Sequence, residues 1–225
     1  MRQDIRFDVP LFTIEEAAGY LGLPRTTLRA WTRRPAGVAP LVHRIGPSGP
    51  GSRAASLSFA AVVEAHMLRG FRELGLSAQG LRASVARLRR DLGDEYALAT
   101  QRVATDGVAL LAGMSRAGPA TEWVRAADGQ LAIRQVIEQY LTFIRWENDH
   151  YPARLKLQAY RRADVIIDPR FAFGQPVLEQ AKVRVADIVD ASRAGESAAA
   201  IASEFGMEAD EVEAVVRSAA RPRAA

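Results

Sequence analysis

The segment Pro24-Arg25-Thr26-Thr27-Leu28-Arg29-Ala30-Trp31 has the pattern of a short helix with a single apolar face. Leu28 and Trp31 are three residues apart, so they share the buried side of that helix. Pro24 suits the first turn, where an N–H group would have no intrahelical partner in any case. The polar side, which is free for recognition, consists of Arg25, Thr26, Thr27, Arg29 and Arg33.

Another short helix is predicted immediately before this segment. Thr13 can cap its start, and Glu16, three residues later, completes a capping box. Gly22 ends the helix at a position suited to a positive φ angle. The apolar side of this helix is formed by Ile14, Ala17, Ala18 and Leu21. Two short helices joined by a glycine-containing turn are the signature of a helix-turn-helix.

Two strand-like runs follow, and we predict that they form a wing. Residues 41–45 and 56–59 are short apolar runs, and the Gly- and Pro-rich sequence 46–53 between them suits a flexible hairpin tip. Arg44 and Arg53 flank that tip. Helical periodicity after the wing predicts two more helices, at 60–74 and 79–92.

The residue types on this winged helix-turn-helix are those that DNA recognition uses. An arginine pairs bidentately with the edge of a guanine, and a threonine reaches a phosphate or a thymine methyl group. We therefore predict a DNA-binding surface formed by Arg25, Thr26, Thr27, Arg29, Arg33, Arg34, Arg44 and Arg53. The alternative is a winged helix that is retained only for protein contacts.

The same region resembles a known family. The stretches Leu11-Phe12-Thr13-Ile14-Glu15-Glu16-Ala17-Ala18 and Arg25-Thr26-Thr27-Leu28-Arg29-Ala30-Trp31 resemble the opening of MerR-like winged-helix DNA-binding domains. A later stretch is similar to the part of that family in which a long helix, a glycine and a further helix follow one another. This stretch is Leu68-Arg69-Gly70-Phe71-Arg72-Glu73-Leu74-Gly75-Leu76-Ser77. The resemblance covers roughly residues 10–90, and the Pro- and Gly-rich wing tip departs from it. It implies that a homodimer reads two half-sites of an operator, each with one helix in the major groove.

The formal net charge of +4 is divided unevenly along the 225 residues. Residues 1–90 contain 14 arginines and six acidic residues, which gives a net charge of +8. Residues 91–163 are neutral, with nine charges of each sign, and residues 164–225 carry −4, from seven basic and 11 acidic residues. A basic amino-terminal part indicates an anionic partner, most simply nucleic acid, whereas an acidic carboxyl-terminal part disfavours a second DNA reader there.

Composition excludes several classes of protein. The chain has no cysteine, so disulfides, thiolate zinc sites and Fe–S clusters are excluded. No apolar run approaches the ~20 residues of a membrane span, and residues 1–10 lack the apolar core of a secretory signal. The three histidines are scattered, and no Walker loop, nucleophile elbow or dinucleotide fingerprint is present. We expect a cytoplasmic protein that is not an enzyme, with no cofactor, no metal and no membrane contact.

The middle of the chain, residues 93–163, is predicted to be a small α/β connector. Alternation predicts strands at 96–104 and 154–160, and Asp106-Gly107 and Asp128-Gly129 are hairpin-turn dipeptides. Apolar residues at helical spacing predict a helix at 133–144. The polar and aromatic segment 146–151 is interpreted as a surface loop.

The last part of the chain, residues 164–225, predicts a buried strand followed by three short helices. Val165-Ile166-Ile167 is a fully apolar run that ends at Asp168-Pro169, where Asp168 is a turn former rather than a catalytic base. Glycines at 195 and 206 separate predicted helices at 186–193, 197–205 and 209–219. Their apolar faces predict a compact trihelical core.

Residues 165–220 resemble a family of small bacterial domains of unknown function that are found in VapB-like antitoxins. The matching residues are Ile167-Asp168-Pro169, Phe173-Gly174-Gln175-Pro176-Val177, Val185, Gly195-Glu196-Ser197, Ile201-Ala202 and Val212, whereas 178–182 depart from the family's Gly-containing loop. With the MerR-like head, the resemblance implies an antitoxin of a type II toxin–antitoxin operon, whose partner is a VapC-like ribonuclease with a PIN-like fold. Such nucleases cluster carboxylates, which makes Arg221 and Arg223 candidate toxin-binding residues; the alternative is a frayed tail.

The predicted fold is therefore α+β and mainly helical. It consists of a winged helix-turn-helix at 1–92, the connector at 93–163 and a trihelical region at 164–225. Two functions remain open on the sequence. The first is an antitoxin that binds its toxin and represses its own operon, and the alternative is a free-standing MerR-like regulator whose middle part binds a small molecule.

Overall fold

The computed structural model describes residues 4–34, 38–46, 54–73, 78–104, 127–160 and 162–220. Within these ranges the chain is α+β and mainly helical, as the sequence predicts, and it contains a small antiparallel sheet of four strands. The predicted turn at Asp106-Gly107 and the wing tip at 47–53 lie outside the described residues. No described helix is both long enough and apolar enough to cross a membrane.

The amino-terminal helices are α1 (Ile5–Asp8), α2 (Ile14–Leu21) and α3 (Arg25–Trp31). The predicted capping box of α2 is present: the Glu16 N–H donates to Oγ1 of Thr13 at 3.1 Å, and the Thr13 N–H donates to the Glu16 carboxylate at 2.8 Å. Gly22 ends α2 in the left-handed conformation, with φ at 62°. These local signals fix the short turn between α2 and α3.

The two longer helices of this region are α4 (Phe59–Glu73) and α5 (Ala78–Leu92). Their described ends agree with the predicted ranges to within one residue. Residues 59–68 of α4 are all buried, so this helix forms the centre of the core. The buried face of α5 consists of Leu81, Ser84, Val85, Leu88 and Leu92.

The predicted wing strands at 41–45 and 56–59 do not form. Ile45 donates one backbone hydrogen bond to the Ser56 carbonyl at 2.8 Å, but other N–H groups bond elsewhere. Leu41 and Val42 donate to the Trp31 carbonyl at the end of α3, and Leu57 forms an isolated bridge with Phe12. Apart from that single hydrogen bond, the two runs pair with Trp31 and Phe12, which flank the α2–α3 pair, rather than with each other, and position 59 already belongs to α4.

The middle of the chain also differs from the prediction. Residues 96–104 form two 3₁₀ helices, Ala97–Ala99 and Gln101–Ala104, rather than a strand, because the consecutive residues 97–100 are all buried and leave no alternating face. The dipeptide Asp128-Gly129 lies inside helix α6 (Ala127–Leu141) rather than in a hairpin turn. Ile144, predicted as the end of a helix, begins the first strand.

The sheet contains β1 (Ile144–Trp146), β2 (Pro152–Lys156), β3 (Val165–Ile167) and β4 (Val177–Leu178), in the order β1-β2-β3-β4 and antiparallel throughout. β2 is shorter than the predicted strand at 154–160, and the segment predicted as a surface loop forms the turn between β1 and β2. β3 is buried along its whole length. Because β2 pairs with β3, the sheet crosses the predicted boundary at 163/164, and the two predicted regions share one sheet.

The carboxyl-terminal helices are α7 (Val185–Arg193), α8 (Ala198–Phe205) and α9 (Ala209–Ala219), and all three contact one another. Their apolar faces bury Ile188, Ile201, Val212 and Val215. The buried residues form one continuous core that includes α4, α6, the sheet and these helices. The predicted head and connector therefore also share a core, with α6 in contact with α4.

Candidate functional site

The α2–α3 pair is held on the rest of the chain by its buried side chains and by one charged side chain of α4. Leu28 and Trp31 of α3 are 0% and 6% exposed. Arg69 of α4 donates from Nη1 to the Leu21 carbonyl at 2.5 Å, which satisfies a free carbonyl at the carboxyl end of α2. Anchored in this way, α3 presents its polar side outward.

The predicted DNA-binding residues of α3 lie on that outward side. Arg25, Thr26 and Arg29 are exposed, and Thr27 is half-buried. Arg25 forms an ion pair with Glu15 of α2 at 3.3 Å, in which both side chains are more than half exposed. Such a pair contributes little to stability, so phosphate or a base edge can replace the carboxylate at low cost.

Of the remaining predicted DNA-binding residues, the structure describes three. Arg33 and Arg34 follow α3 and are exposed. Arg44 is half-buried, and its Nε atom is buried without a hydrogen-bond partner. Arg53 lies outside the described residues. The structure therefore brings together the α3 arginines and the two that follow them, while the wing tip stays a prediction.

A buried charged cluster supports the segment that follows α3. The Glu64 carboxylate on α4 is 0% exposed, and it accepts hydrogen bonds from the His43 N–H at 2.9 Å and from Arg89 Nη2 at 3.0 Å. Arg89 of α5 also donates to the carbonyls of Pro40 and Leu41, at 2.6 and 3.1 Å. We call Glu64, His43 and Arg89 the wing-root cluster. Sequence reasoning missed it, although a single glutamate inside the apolar run 59–68 was a signal.

A second exposed feature lies between β3 and β4, in residues 171–174. Ala172, Phe173 and Gly174 have positive φ angles of 46°, 52° and 79°. Phe173 is 83% exposed, while Gly174 lies so close to Phe12 that a Cβ atom there would be 2.7 Å from Phe12 Cζ. Left-handed backbone at two non-glycine residues is unfavourable, so the fold holds an aromatic side chain in water at a cost. The sequence indicated this segment only as a family motif, because nothing local to it predicts the exposure of Phe173.

The charges beside this 171–174 loop are paired with one another. Asp168 is buried, and its carboxylate accepts from the Arg170 N–H and Nε, both at 2.9 Å, so it forms a turn as predicted. These bonds raise the pKa of the Arg170 guanidinium. Arg6 similarly lies between Asp4 and Asp149 and lowers the pKa of both carboxyls by hydrogen bonding. A pocket of about 410 Å³ lies between these residues. The charged side chains that line it therefore already form ion pairs with one another.

The described part of the chain contains no candidate metal centre. No group of three or more metal-ligating side chains comes together among these residues. His66 is fully buried, and burial lowers its pKa to about 4, so the imidazole is neutral and its Nε2 donates to the Tyr140 carbonyl at 2.9 Å. His66 therefore has a structural role in the core, between α4 and α6.

The chain thus combines exposed basic residues on α3 with three packed carboxyl-terminal helices, and it resembles known proteins in both sequence and structure. Residues 165–217 match the family described as a protein of unknown function, DUF433. A Mycobacterium tuberculosis protein named "Putative antitoxin VapB45" is 35% identical over 226 residues, which cover 93% of each chain. The crystal structure of Rv2018 from Mycobacterium tuberculosis superposes with a TM-score of 0.77 at 33% identity, covering 94% of this chain and 99% of that one.

The chain belongs to the VapB45-like antitoxin family. The VapB-like resemblance and the domain of unknown function predicted near 165–220 are thereby confirmed. The MerR-like character of the head stays a prediction.

Proposed function

We propose that this protein is the antitoxin of a type II toxin–antitoxin system, which neutralises a VapC-like ribonuclease by direct binding and represses its own operon. The observation that carries the proposal is the 35% identity, over 93% of both chains, to a protein named as an antitoxin.

The repressor half of the proposal rests on the basic surface of α3. As a MerR-like winged helix-turn-helix, the head would place α3 in the major groove, with Arg25, Thr26, Thr27 and Arg29 at the bases or phosphates. Arg33, Arg34, Arg44 and Arg53 would contact the flanking backbone. A homodimer would read two half-sites that are one or more helical turns apart.

The toxin-binding half rests on the exposed 171–174 loop. An aromatic side chain that is 83% exposed on a strained backbone is a suitable anchor for a protein pocket. Lys182 lies over the Phe171 ring at 4.6 Å, which adds a cation to the patch. The complementary partner surface is an apolar pocket with an acidic rim. Arg221 and Arg223, outside the described residues, remain additional candidates for this contact.

Co-expression with the product of the neighbouring reading frame tests the proposal. We expect the two proteins to purify as a complex, and we expect that complex to bind the promoter of their operon at low salt. If the two products purify separately, the neutralisation half is wrong. If the complex forms but no promoter fragment is bound at low salt, the repressor half is wrong.

A further inference from the structure

A small pocket lies against α3, and of the residues that were predicted to read DNA only Thr27 lines it. Its volume is about 270 Å³. It is lined by Thr27, Ala30, Trp31, Leu41, Arg72, Ala78, Leu81 and Arg82. Three helices and the segment after α3 contribute to it, so a ligand there would contact α3 and the α4–α5 pair at once.

The two arginines of this pocket lack counterions, unlike most arginines of the described chain. None of the eight lining residues is acidic, and neither Arg72 nor Arg82 forms an ion pair with any described residue. Arg6, Arg89 and Arg170, by contrast, are all paired with carboxylates. Two guanidinium groups at one pocket without a carboxylate produce a positive potential that attracts an anion.

Arg82 also has an unused buried donor. Its Nη2 reaches the Ala30 carbonyl only at 3.5 Å, and its Nη1 is buried without any hydrogen-bond partner. A buried charged donor that lacks an acceptor is costly and calls for a bound ion or water. Among the described residues the Thr27 hydroxyl at the same pocket has no hydrogen bond either, so it supplies another donor.

We propose that this pocket binds a phosphate group. Guanidinium groups bind phosphate oxygens bidentately, a hydroxyl donates a further bond, and buried Trp31, Leu41 and Leu81 form an apolar floor that strengthens these bonds by excluding water. Two kinds of ligand supply a phosphate group of this chemistry: the DNA backbone beside α3 and a free phosphorylated molecule. The DNA source rests on the proposed repressor function, whereas the free source does not.

Two measurements distinguish these sources. In the first, inorganic phosphate and then pyrophosphate are titrated into the full-length protein without DNA, and tryptophan fluorescence is followed, to which Trp31 at the pocket contributes together with Trp123 and Trp146. In the second, DNA affinity is measured at several salt concentrations. The variants are Arg82→Gln and, because Arg72 is exposed and tolerant of change, Arg72→Gln. The control is Arg87→Gln, also on α5 but paired with Asp91 outside the pocket.

A saturable fluorescence change that is lost in Arg72→Gln and Arg82→Gln but kept in the control supports a free phosphate ligand. A slope of log Kd against log salt that falls by about 1 for each of these two variants, but not for the control, supports a DNA phosphate. If neither response depends on Arg72 or Arg82, the proposal is overturned. Absence of DNA binding by the unaltered protein would contradict the repressor function alone, and the phosphate titration would then decide the pocket.

Discussion

Arg89 of α5 and Glu64 of α4 form a buried ion pair at 3.0 Å, in which the glutamate side chain is 0% exposed and the arginine 11%. The same guanidinium donates to the backbone carbonyls of Pro40 and Leu41. His43 completes the wing-root cluster by donating its N–H to Glu64. This ion pair therefore connects the segment after α3 to helices α4 and α5. Because Leu41 of that segment donates to the Trp31 carbonyl, the ion pair also supports the carboxyl end of α3, the proposed DNA-reading helix.

Replacing Arg89 should destabilise the protein strongly. Arg89→Met leaves the Glu64 carboxylate buried without its cation, and we expect unfolding free energy to fall by about 3–5 kcal/mol. Urea unfolding at neutral pH measures this loss. The control Arg87→Met removes an exposed pair with Asp91 and should cost less than about 1 kcal/mol. The double variant Glu64→Gln/Arg89→Met should regain part of the loss, and equal costs for both single arginine variants would contradict this account.

His66 should make stability depend on acid pH. Its folded pKa is about 4, below the ordinary value of 6.5, because burial disfavours the charged ring. The unfolded chain therefore binds a proton more readily than the folded protein. The contribution of neutral His66 to the free energy of unfolding is fully present above pH 6.5 and is lost as pH falls from 6.5 to 4. The shift corresponds to about 3 kcal/mol.

Urea unfolding of the protein and of His66→Gln at several pH values checks this dependence. The stability of the variant should fall less steeply between pH 6.5 and 4. The control His150→Asn changes an exposed histidine whose positive φ of 67° an asparagine tolerates, and it should keep the steep profile. Parallel profiles for the unaltered protein and His66→Gln would show that His66 does not titrate in this way.

Gly174→Ala should cost more stability than Gly206→Ala. Both glycines have positive φ angles, 79° and 66°, so alanine strains the backbone at each by about 1 kcal/mol. Only at Gly174 would the new methyl group also approach Phe12, at 2.7 Å, which adds about 1–3 kcal/mol of overpacking. Nothing lies within 4 Å of a Cβ at Gly206. Thermal unfolding compares the two variants, and equal losses would exclude the contact with Phe12 as a cause.

Arg29→Ala and Arg53→Ala should affect DNA binding differently. If Arg29 contacts a guanine edge, its loss weakens operator binding by about 1–3 kcal/mol and relaxes sequence preference. Arg53→Ala should weaken binding to all sequences about equally and reduce the salt slope by about 1. Fluorescence anisotropy with promoter and scrambled DNA measures both effects. An Arg29→Ala variant that loses the same affinity on both DNAs would assign this arginine to phosphate instead.

Phe173→Ser should weaken toxin binding without loss of fold. The side chain is already 83% exposed, so its removal leaves no cavity, while an interface anchor is worth about 2 kcal/mol or more, about 30-fold in Kd. Calorimetric titration with the purified toxin measures the change. Val38→Ser, which alters another exposed apolar side chain at 43% exposure, is the control. Unchanged affinity in Phe173→Ser would remove the 171–174 loop from the toxin interface.

Local signals made much of the fold predictable. The capping pair Thr13 and Glu16, the left-handed Gly22 and the apolar spacing of 60–74 and 79–92 each act within a few residues, and the structure contains the features they predict. The family resemblance at 165–220 was equally local, because it rests on a contiguous motif.

Features that depend on distant partners were not predictable. Residues 41–45 and 56–59 have strand-like composition, but Leu41 and Val42 donate to the Trp31 carbonyl, and residues 56 and 57 donate to the Phe12 carbonyl. The boundary placed at 163/164 follows a change in pattern, yet β2 and β3 pair across it. The exposure of Phe173 and the counterion of Glu64 likewise follow from tertiary contacts that periodicity does not encode.

The most direct test of the antitoxin function is an RNA-cleavage assay with the purified ribonuclease of the same operon. Increasing amounts of this protein are added, and residual cleavage is measured against the molar ratio. Neutralisation by direct binding predicts that cleavage falls in proportion and stops at a fixed stoichiometric ratio. Undiminished cleavage in the presence of a several-fold excess of folded protein would contradict the account.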